Sequence, residues 1–179
     1  MRVRLMILLL LACSARLAHA DNAITFSPAL PKAWRQLSSQ AIPGTNPVTH
    51  DSLTANITVV QNTNNLTTLL ISVIPIASPE ATNNTNIAID ARNWIQGVLD
   101  GFAENHKADF SRFEIKTEKK QKFVEAAFRV QLQDAVLHGV SRYSISNTNA
   151  VGWVAFGGDP SVESNKTVFG IAASVKLRK

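Results

Sequence analysis

The sequence predicts a three-layer α/β/α sandwich around a mainly antiparallel sheet of about six strands. Three observations predict it. A long amphipathic helix lies in the middle of the chain, from Asn86 to about Asn105. Two strand-like runs precede this helix and four follow it, and a short final helix is expected after Pro160. A sheet that is apolar on both faces needs a covering layer on each side, and the two helices supply those layers.

The central helix carries one apolar stripe at three-to-four spacing, which indicates that it lies on a sheet. The stripe consists of Ile87, Ala91, Trp94, Ile95, Val98 and Phe102. Beside Trp94, Gly97 and Gly101 lie four residues apart, and a glycine inside a helix costs up to about 1 kcal/mol relative to alanine. The helix therefore packs closely on its own sheet, or ends near Gly101, or receives a partner at these glycines.

A second tryptophan could likewise belong to the core or contact a partner. Trp153 follows Gly152 in the last predicted strand, where it fits a core position or a contact with a partner. We accordingly take a set of four residues as candidates for partner binding: Trp94, Gly97, Gly101 and Trp153.

The segments before the helix predict an edge region followed by the centre of the sheet. The prolines after Phe26 indicate a short edge strand, a turn and a second short strand from Trp34, and Gln40 to Asp51 is predicted to be a surface loop. Alternating apolar residues from Thr54 to Gln61 indicate a strand with one covered face. The nearly continuous apolar run from Thr67 to Ile76 predicts a central strand buried on both faces.

The segments after the helix predict two hairpins and a final helix. The first hairpin pairs 110–117 with 122–133, and the second pairs 135–146 with 150–156. Asp159 suits a helix N-cap and Pro160 the first helical position. The apolar side of this last helix would include Val162, Val168, Phe169, Ala172, Ala173 and Val175.

The order of these elements resembles the PsbP-like and DcrB-like proteins over essentially the whole mature chain. The residues that carry the resemblance are the opening Phe-x4-Pro-x-x-Trp at 26–34, Ala126 and Gly139 in the hairpins, and the stretch at 170–176 that follows Pro160. The resemblance implies a three-layer α/β/α sandwich. It also implies a small, non-enzymatic protein that binds other proteins or sits on membranes, as several bacterial envelope lipoproteins do. It supplies no catalytic residues.

The first twenty residues have the layout of a secretory signal, with Arg2 and Arg4 ahead of a short apolar run. Two processing sites remain open. Cleavage after Ala20 follows a small-x-small pattern, whereas Cys13, the single cysteine, follows Leu-Leu-Ala as in a bacterial lipobox and would then carry a lipid anchor. The sequence thus predicts a signal peptide over residues 1–20, one domain over 21–179, and a periplasmic protein that is soluble or attached to the membrane through Cys13.

Charge and composition exclude several classes of function. The chain has 179 residues, 45% hydrophobic and 17% charged, which is typical of one globular domain. Its net charge is +5, from 18 basic and 13 acidic residues, but Arg2, Arg4 and Arg16 lie before Ala20. The mature chain therefore keeps 15 basic and 13 acidic residues, a net charge of +2, and a nucleic-acid partner has no electrostatic basis.

No arrangement of residues points to catalysis or to a cofactor. The mature histidines are His50, His106 and His138, and no serine lies in a G-x-S-x-G pattern. No cysteine pair, H-E-x-x-H or calcium-loop pattern occurs, so neither a catalytic nor a metal site is predicted. The sharpest charge run, with lysines at 116, 119, 120 and 122, is accompanied by Glu114 and Glu118 and is typical of a solvated hairpin tip.

Two functions remain. The first is a non-enzymatic protein-binding module of the bacterial envelope, whose partner is an envelope component or an incoming toxin that the protein blocks as an immunity protein. The second is a periplasmic lipoprotein that binds a small ligand or a lipid between the helix and the sheet, near Trp94. A lipid that copurifies in the absence of detergent would favour the second.

Overall fold

The computed structural model describes residues 24–45, 52–75, 87–100, 106–118, 121–146 and 149–177. In chain order the elements are β1 (Ile24–Phe26), β2 (Trp34–Thr45), β3 (Ser52–Asn62), β4 (Thr68–Pro75), α1 (Ile87–Asp100), β5 (Asp109–Glu118), β6 (Gln121–Gln131), β7 (Val136–Ile145), β8 (Asn149–Gly157), the 3-10 helix η1 (Pro160–Ser164), α2 (Lys166–Ala173) and β9 (Val175–Leu177).

Seven strands form one antiparallel sheet in the order β2-β3-β4-β8-β7-β6-β5. The strands before α1 build one half, and the two hairpins after it build the other. The halves join where β4 pairs with β8, with Leu70 opposite Val154. The strands β1 and β9 form a separate antiparallel pair.

Helix α1 covers one face of the sheet, mainly over β6, β7 and β8. Its buried residues Ala91, Ile95 and Leu99 contact apolar side chains of those strands. The core under α1 includes Val124, Ala126, Phe128, Val130, Leu137, Tyr143, Val154 and Phe156. The hydrophobic stripe of the sequence is thus the face that packs, with Leu99 as an additional member.

The segment from η1 to β9 covers the opposite face over β3, β4, β7 and β8. Asp159 caps η1 by accepting a hydrogen bond from the Ser161 N–H, and Asn165 caps α2 by accepting one from the Thr167 N–H. Val162, Val168 and Ile171 are buried against a core that includes Val60, Leu69, Ile71, Val73, Val140, Trp153 and Ala155. Each cap satisfies a backbone donor that would otherwise have no partner in the first turn.

The predicted fold class is confirmed, with seven strands in the main sheet where about six were expected. Strand β4 is central, and Leu69, Ile71 and Val73 are buried on one face while Leu70 packs under α1 on the other. The expected covering layers are therefore both present.

Two boundaries differ from the sequence prediction. Residues 40–45 belong to β2, a strand of 12 residues, rather than to a loop. Pro43 is accommodated because β2 lies at the edge of the sheet, where a missing N–H is tolerated. The last helix is interrupted at Asn165 and ends at Ala173, so Val175 lies in β9, as its β-branched side chain favours. Phe102 lies outside the described residues.

Candidate functional site

The predicted candidate Trp94 lies on α1 against β8, where its position depends on a glycine. A Cβ added to Gly152 would lie 2.6 Å from Cε2 of Trp94, so the ring occupies the space that a larger residue would fill. The ring centre is 5.9 Å from that of Tyr143. Trp94 remains half-buried. A close approach to α1 therefore occurs at Gly152 of the sheet rather than at Gly97 of the helix.

Trp153 lies on the other face of the sheet. It is 6% exposed and meets the ring of Phe169 edge to face, with ring centres 5.0 Å apart. Because neighbouring residues of a strand point to opposite faces, Trp153 cannot share a surface with Trp94, whose partner is Gly152. The two tryptophans are separated by the sheet.

The helix glycines have a different environment. Gly97 is exposed, and a Cβ at that position would have no neighbour within 4 Å. The expectation that the helix packs tightly on its own sheet at this glycine is therefore wrong, because Gly97 points away from the sheet. Gly101 lies outside the described residues, as does Cys13. A role for these residues in binding or lipidation stays a prediction.

A polar cluster lies on the same side of the sheet as η1 and α2, on β5, β6 and β7, and adjoins η1 at Arg129. We call it the charged face. It consists of Arg112, Glu114, Lys116, Glu125, Arg129 and Arg142, which the strand registers bring to one side of the sheet. Glu114, Glu125 and Arg142 are directly opposite one another on the three strands. The charged face includes the ion pairs of Lys116 with Glu114 and Glu125 and of Arg142 with Glu125.

Glu125 is the centre of this cluster. Its side chain is only 8% exposed, whereas those of Lys116 and Arg142 are 42% and 34% exposed. Oε2 accepts a hydrogen bond from Lys116 Nζ, and Oε1 accepts two from Arg142, at 2.6 Å from Nη2 and 3.2 Å from Nε. Lys116 also lies 3.2 Å from Glu114. The carboxylate is thus recessed beneath basic groups that reach the surface.

The electrostatics follow from these contacts. Burial alone would raise the pKa of Glu125, but the hydrogen bonds from Lys116 and Arg142 outweigh it and the pKa is lowered. The bond to Glu125, with a second to Glu114, raises the pKa of Lys116. The guanidinium of Arg142 also lies 4.2 Å from the centre of the Phe123 ring. The charges of Glu125 and Lys116 are therefore both favoured at neutral pH.

A second polar group attaches η1 to the sheet. Nδ1 of His138 lies 3.0 Å from Oε1 of Glu163, and Nε of Arg129 lies 3.6 Å from the same oxygen. The backbone N–H of Ser161 lowers the pKa of the capping residue Asp159. These contacts join strands β6 and β7 to η1 and border the charged face.

Asp90 of α1 and Tyr143 of β7 form a third polar feature, between the helix and the sheet. Burial, with a smaller effect of the Asp90 carboxylate, raises the pKa of Tyr143 to about 12. Burial also raises the pKa of Asp90, whose Oδ2 is enclosed without a hydrogen-bond partner.

Among the described residues, no group of three or more histidine, cysteine or acidic side chains is placed to hold a metal ion. Over the same ranges, no helix is both long and apolar enough to cross a membrane. The sequence did not single out Glu125 or Arg142, because their proximity arises from strand pairing. Only the β6–β7 register, which places residues 125 and 142 opposite each other, would have identified them.

The sequence matches no protein-family model, and no curated protein matches it significantly. A solved structure does match: the solution structure of cyanobacterial PsbP (CyanoP) from Synechocystis sp. PCC 6803, with a TM-score of 0.53 and 15% sequence identity. The match covers 90% of this chain and 91% of that one. The predicted resemblance to PsbP is thereby confirmed at the level of the fold. The DcrB-like and lipoprotein parts of the resemblance stay predictions.

Proposed function

We propose that this chain is a non-enzymatic, protein-binding module of the bacterial envelope, acting as an accessory subunit or as an immunity-type protein against a toxin that enters the periplasm. The observation that carries the proposal is the charged face. It is a sheet surface on which Lys116, Glu125 and Arg142 are already held in place by ion pairs, and η1 borders it at Arg129. A PsbP-like fold is compatible with a non-enzymatic accessory protein.

The arrangement of the charged face suits recognition of a protein. A surface that is ordered before binding loses little side-chain entropy when a partner docks. Both oxygens of Glu125 are occupied, so Lys116 and Arg142 are oriented without the partner. The guanidinium of Arg142 stacks over the ring of Phe123. Arginine and aromatic residues are both enriched at protein–protein interfaces, and arginine stacks readily on aromatic faces.

The location rests on the signal-like residues 1–20 and on Cys13. Export through this signal delivers the domain to the periplasm, and lipidation of Cys13 would hold it at the membrane. The same location suits the alternative, a lipoprotein that binds a small ligand or lipid beside Trp94. A copurifying lipid seen by native mass spectrometry would favour that alternative.

Site-specific photo-crosslinking in living cells tests the proposal. A photoreactive amino acid at Arg129, which lies on the charged face and is 55% exposed, should capture an envelope or toxin protein that mass spectrometry identifies. The matched control is the exposed Lys166 on α2, on the same side of the sheet but off the charged face. Adducts at Arg129 and none at Lys166 support the proposal. Equal labelling at both positions, or no adduct at either, contradicts it.

A further inference from the structure

Strand β5 forms one edge of the seven-stranded sheet and, among the strands that the structure describes, pairs only with β6. Its last seven residues, from Arg112 to Glu118, pair regularly with β6, beyond a bulge at Ser111. Such an edge presents backbone N–H and C=O groups to which another strand can pair. The side chains of Glu114, Ile115 and Lys116 are all exposed, so access to this edge is open.

The charges along the regular part of β5 alternate in sign on one face. Because successive same-face residues are two apart, this face carries Arg112, Glu114, Lys116 and Glu118, a row that reads plus, minus, plus, minus. A row of like charges would repel a second copy of the strand. An alternating row attracts an antiparallel copy in a suitable register.

We propose that two copies of this chain pair through antiparallel β5 strands, about a two-fold axis at Ile115. In this register Glu114 lies opposite Lys116 of the second copy, and Arg112 lies opposite Glu118. Each pair occurs twice, so all eight charges of the two rows face an opposite charge. Moving the axis to Glu114 or to Lys116 would instead place like charges opposite each other, which destabilises strand pairing.

The residue at the proposed axis supports the same register. Ile115 is 56% exposed and is the most exposed large hydrophobic side chain in the described part of the chain. It points to the α1 face of the sheet, opposite to the charged row, and pairs with Val124 of β6. The two-fold axis brings the two Ile115 side chains together, which removes both from water.

The other edge of the sheet lacks these features. Strand β2 is irregular between Gln36 and Ser38, and Pro43 has no N–H to donate. Bulges and prolines are the usual means by which an edge strand avoids pairing. Association through β5 therefore closes into a dimer with a continuous sheet, and β2 does not extend that sheet into a fibre.

Charge reversal at the outer pair tests the register, and neither Arg112 nor Glu118 takes part in the Glu125 network. Glu118 is exposed, whereas Arg112 is half-buried and its Nε is enclosed, so E118R is the variant with little effect on the monomer. Sedimentation velocity should show a monomer–dimer equilibrium for the exported protein, with a dissociation constant of about 1 to 100 μM, since the interface is small. R112E and E118R should each weaken it at least about tenfold. E118R should leave the thermal stability of the dilute protein unchanged, whereas R112E replaces a half-buried side chain and should lower that stability.

An equimolar mixture of R112E and E118R should restore the dimer, because each substituted side chain then faces an opposite charge on the other variant. Ile115→Lys should abolish dimerisation, whereas the matched control Val136→Lys, at an exposed position on β7, should not. Three results would overturn the proposal: a monomer at about 1 mM, dimers unaffected by either single reversal, or no recovery in the mixture.

Disulfide crosslinking tests directly whether the two-fold axis lies at Ile115. Residues directly opposite in antiparallel strands have Cα atoms about 4.5 to 5.5 Å apart, within the range that a disulfide spans. Mild oxidation should therefore convert Ile115→Cys into a disulfide dimer and leave Val136→Cys monomeric. Crosslinking of both variants to the same extent would mean random collision and would refute the register.

Discussion

One face of the sheet is covered in two different ways. Along a single row of paired residues, Glu114, Glu125 and Arg142 on β5 to β7 are followed by Trp153 on β8 and Ile71 on β4. The tryptophan and isoleucine lie in the core beneath η1 and α2, whereas Glu125 is paired with the side chains of Lys116 and Arg142. The long stems of Arg142 and Lys116 cover the sheet in place of a helix, with their charged ends toward water. A carboxylate can therefore be buried on a sheet face when basic side chains of neighbouring strands cover it and neutralise its charge, as Lys116 and Arg142 do for Glu125.

The helix-covered half should be the more sensitive to mutation. Trp153→Ala removes a ring that is buried under α2 and in edge-to-face contact with Phe169. We expect a loss of about 3 to 5 kcal/mol in the free energy of unfolding, measured by urea denaturation. A loss below about 1 kcal/mol would show that α2 does not hold this half of the sheet.

The opposite face offers a comparison between two glycines. Gly152→Ala should lower the free energy of unfolding by about 1 to 3 kcal/mol, because its Cβ would meet the Trp94 ring. Gly97→Ala is the matched control and should raise stability by up to about 1 kcal/mol, since the new methyl has open space and alanine favours the helix. Urea denaturation checks both, and equal effects at the two positions would contradict the packing of Trp94 on Gly152.

In the charged half, Glu125→Gln should cost about 1 to 2 kcal/mol, because the amide cannot neutralise Lys116 and Arg142. The loss is moderate since both basic side chains are partly exposed and can turn to water. Glu118→Gln, an exposed glutamate on β5, is the control and should change stability by less than about 0.5 kcal/mol. If the two substitutions have the same effect, the Glu125 network contributes nothing.

Acid should abolish the difference between wild type and Glu125→Gln. The pKa of Glu125 in the folded protein lies below its ordinary value of 4.5, so the folded state binds this proton less readily than the unfolded state does. The stabilisation is therefore fully present above about pH 4.5 and is lost as the pH falls through the folded pKa. Urea midpoints of the two proteins should converge below that pKa, and a constant gap down to about pH 2 would argue against the ion pairs.

The smallest effect on the stability of the domain is expected from Cys13→Ser, because Cys13 belongs to neither half of the sheet. If Cys13 is lipidated, the variant should move from the membrane fraction to the soluble periplasm, or remain unprocessed, at an unchanged melting temperature. Fractionation and thermal melts measure the two quantities. Wild-type protein that is already soluble and begins at Asp21 would mean that cleavage follows Ala20 instead.

Periodicity predicted the elements that have one apolar face. The stripe on α1 and the alternation through Val124, Ala126 and Phe128 indicated a helix on a sheet, and the structure has both. Alternation places Glu125 on the side away from α1, but it does not reveal that Arg142 lies across from it. Trp94 and Trp153 were grouped as candidates by residue type, and only the pleat of β8 shows that they point to opposite faces.

The pairing of β1 with β9 has a consequence for how the chain can be rearranged. Ile24 lies opposite Leu177, and the Ser27 N–H donates to the Ser174 carbonyl at 2.8 Å, so the two ends of the described fold meet in one ladder. A linker of a few residues would join them, and new termini could be opened in the β6–β7 turn at Gln133. Such a circular permutant would retain the strand pairings of the sheet while moving the entry point of the chain to the other side of the core. Because Ile24 pairs with Leu177, a tether attached before β1 and a fusion attached after β9 would leave the domain at neighbouring positions.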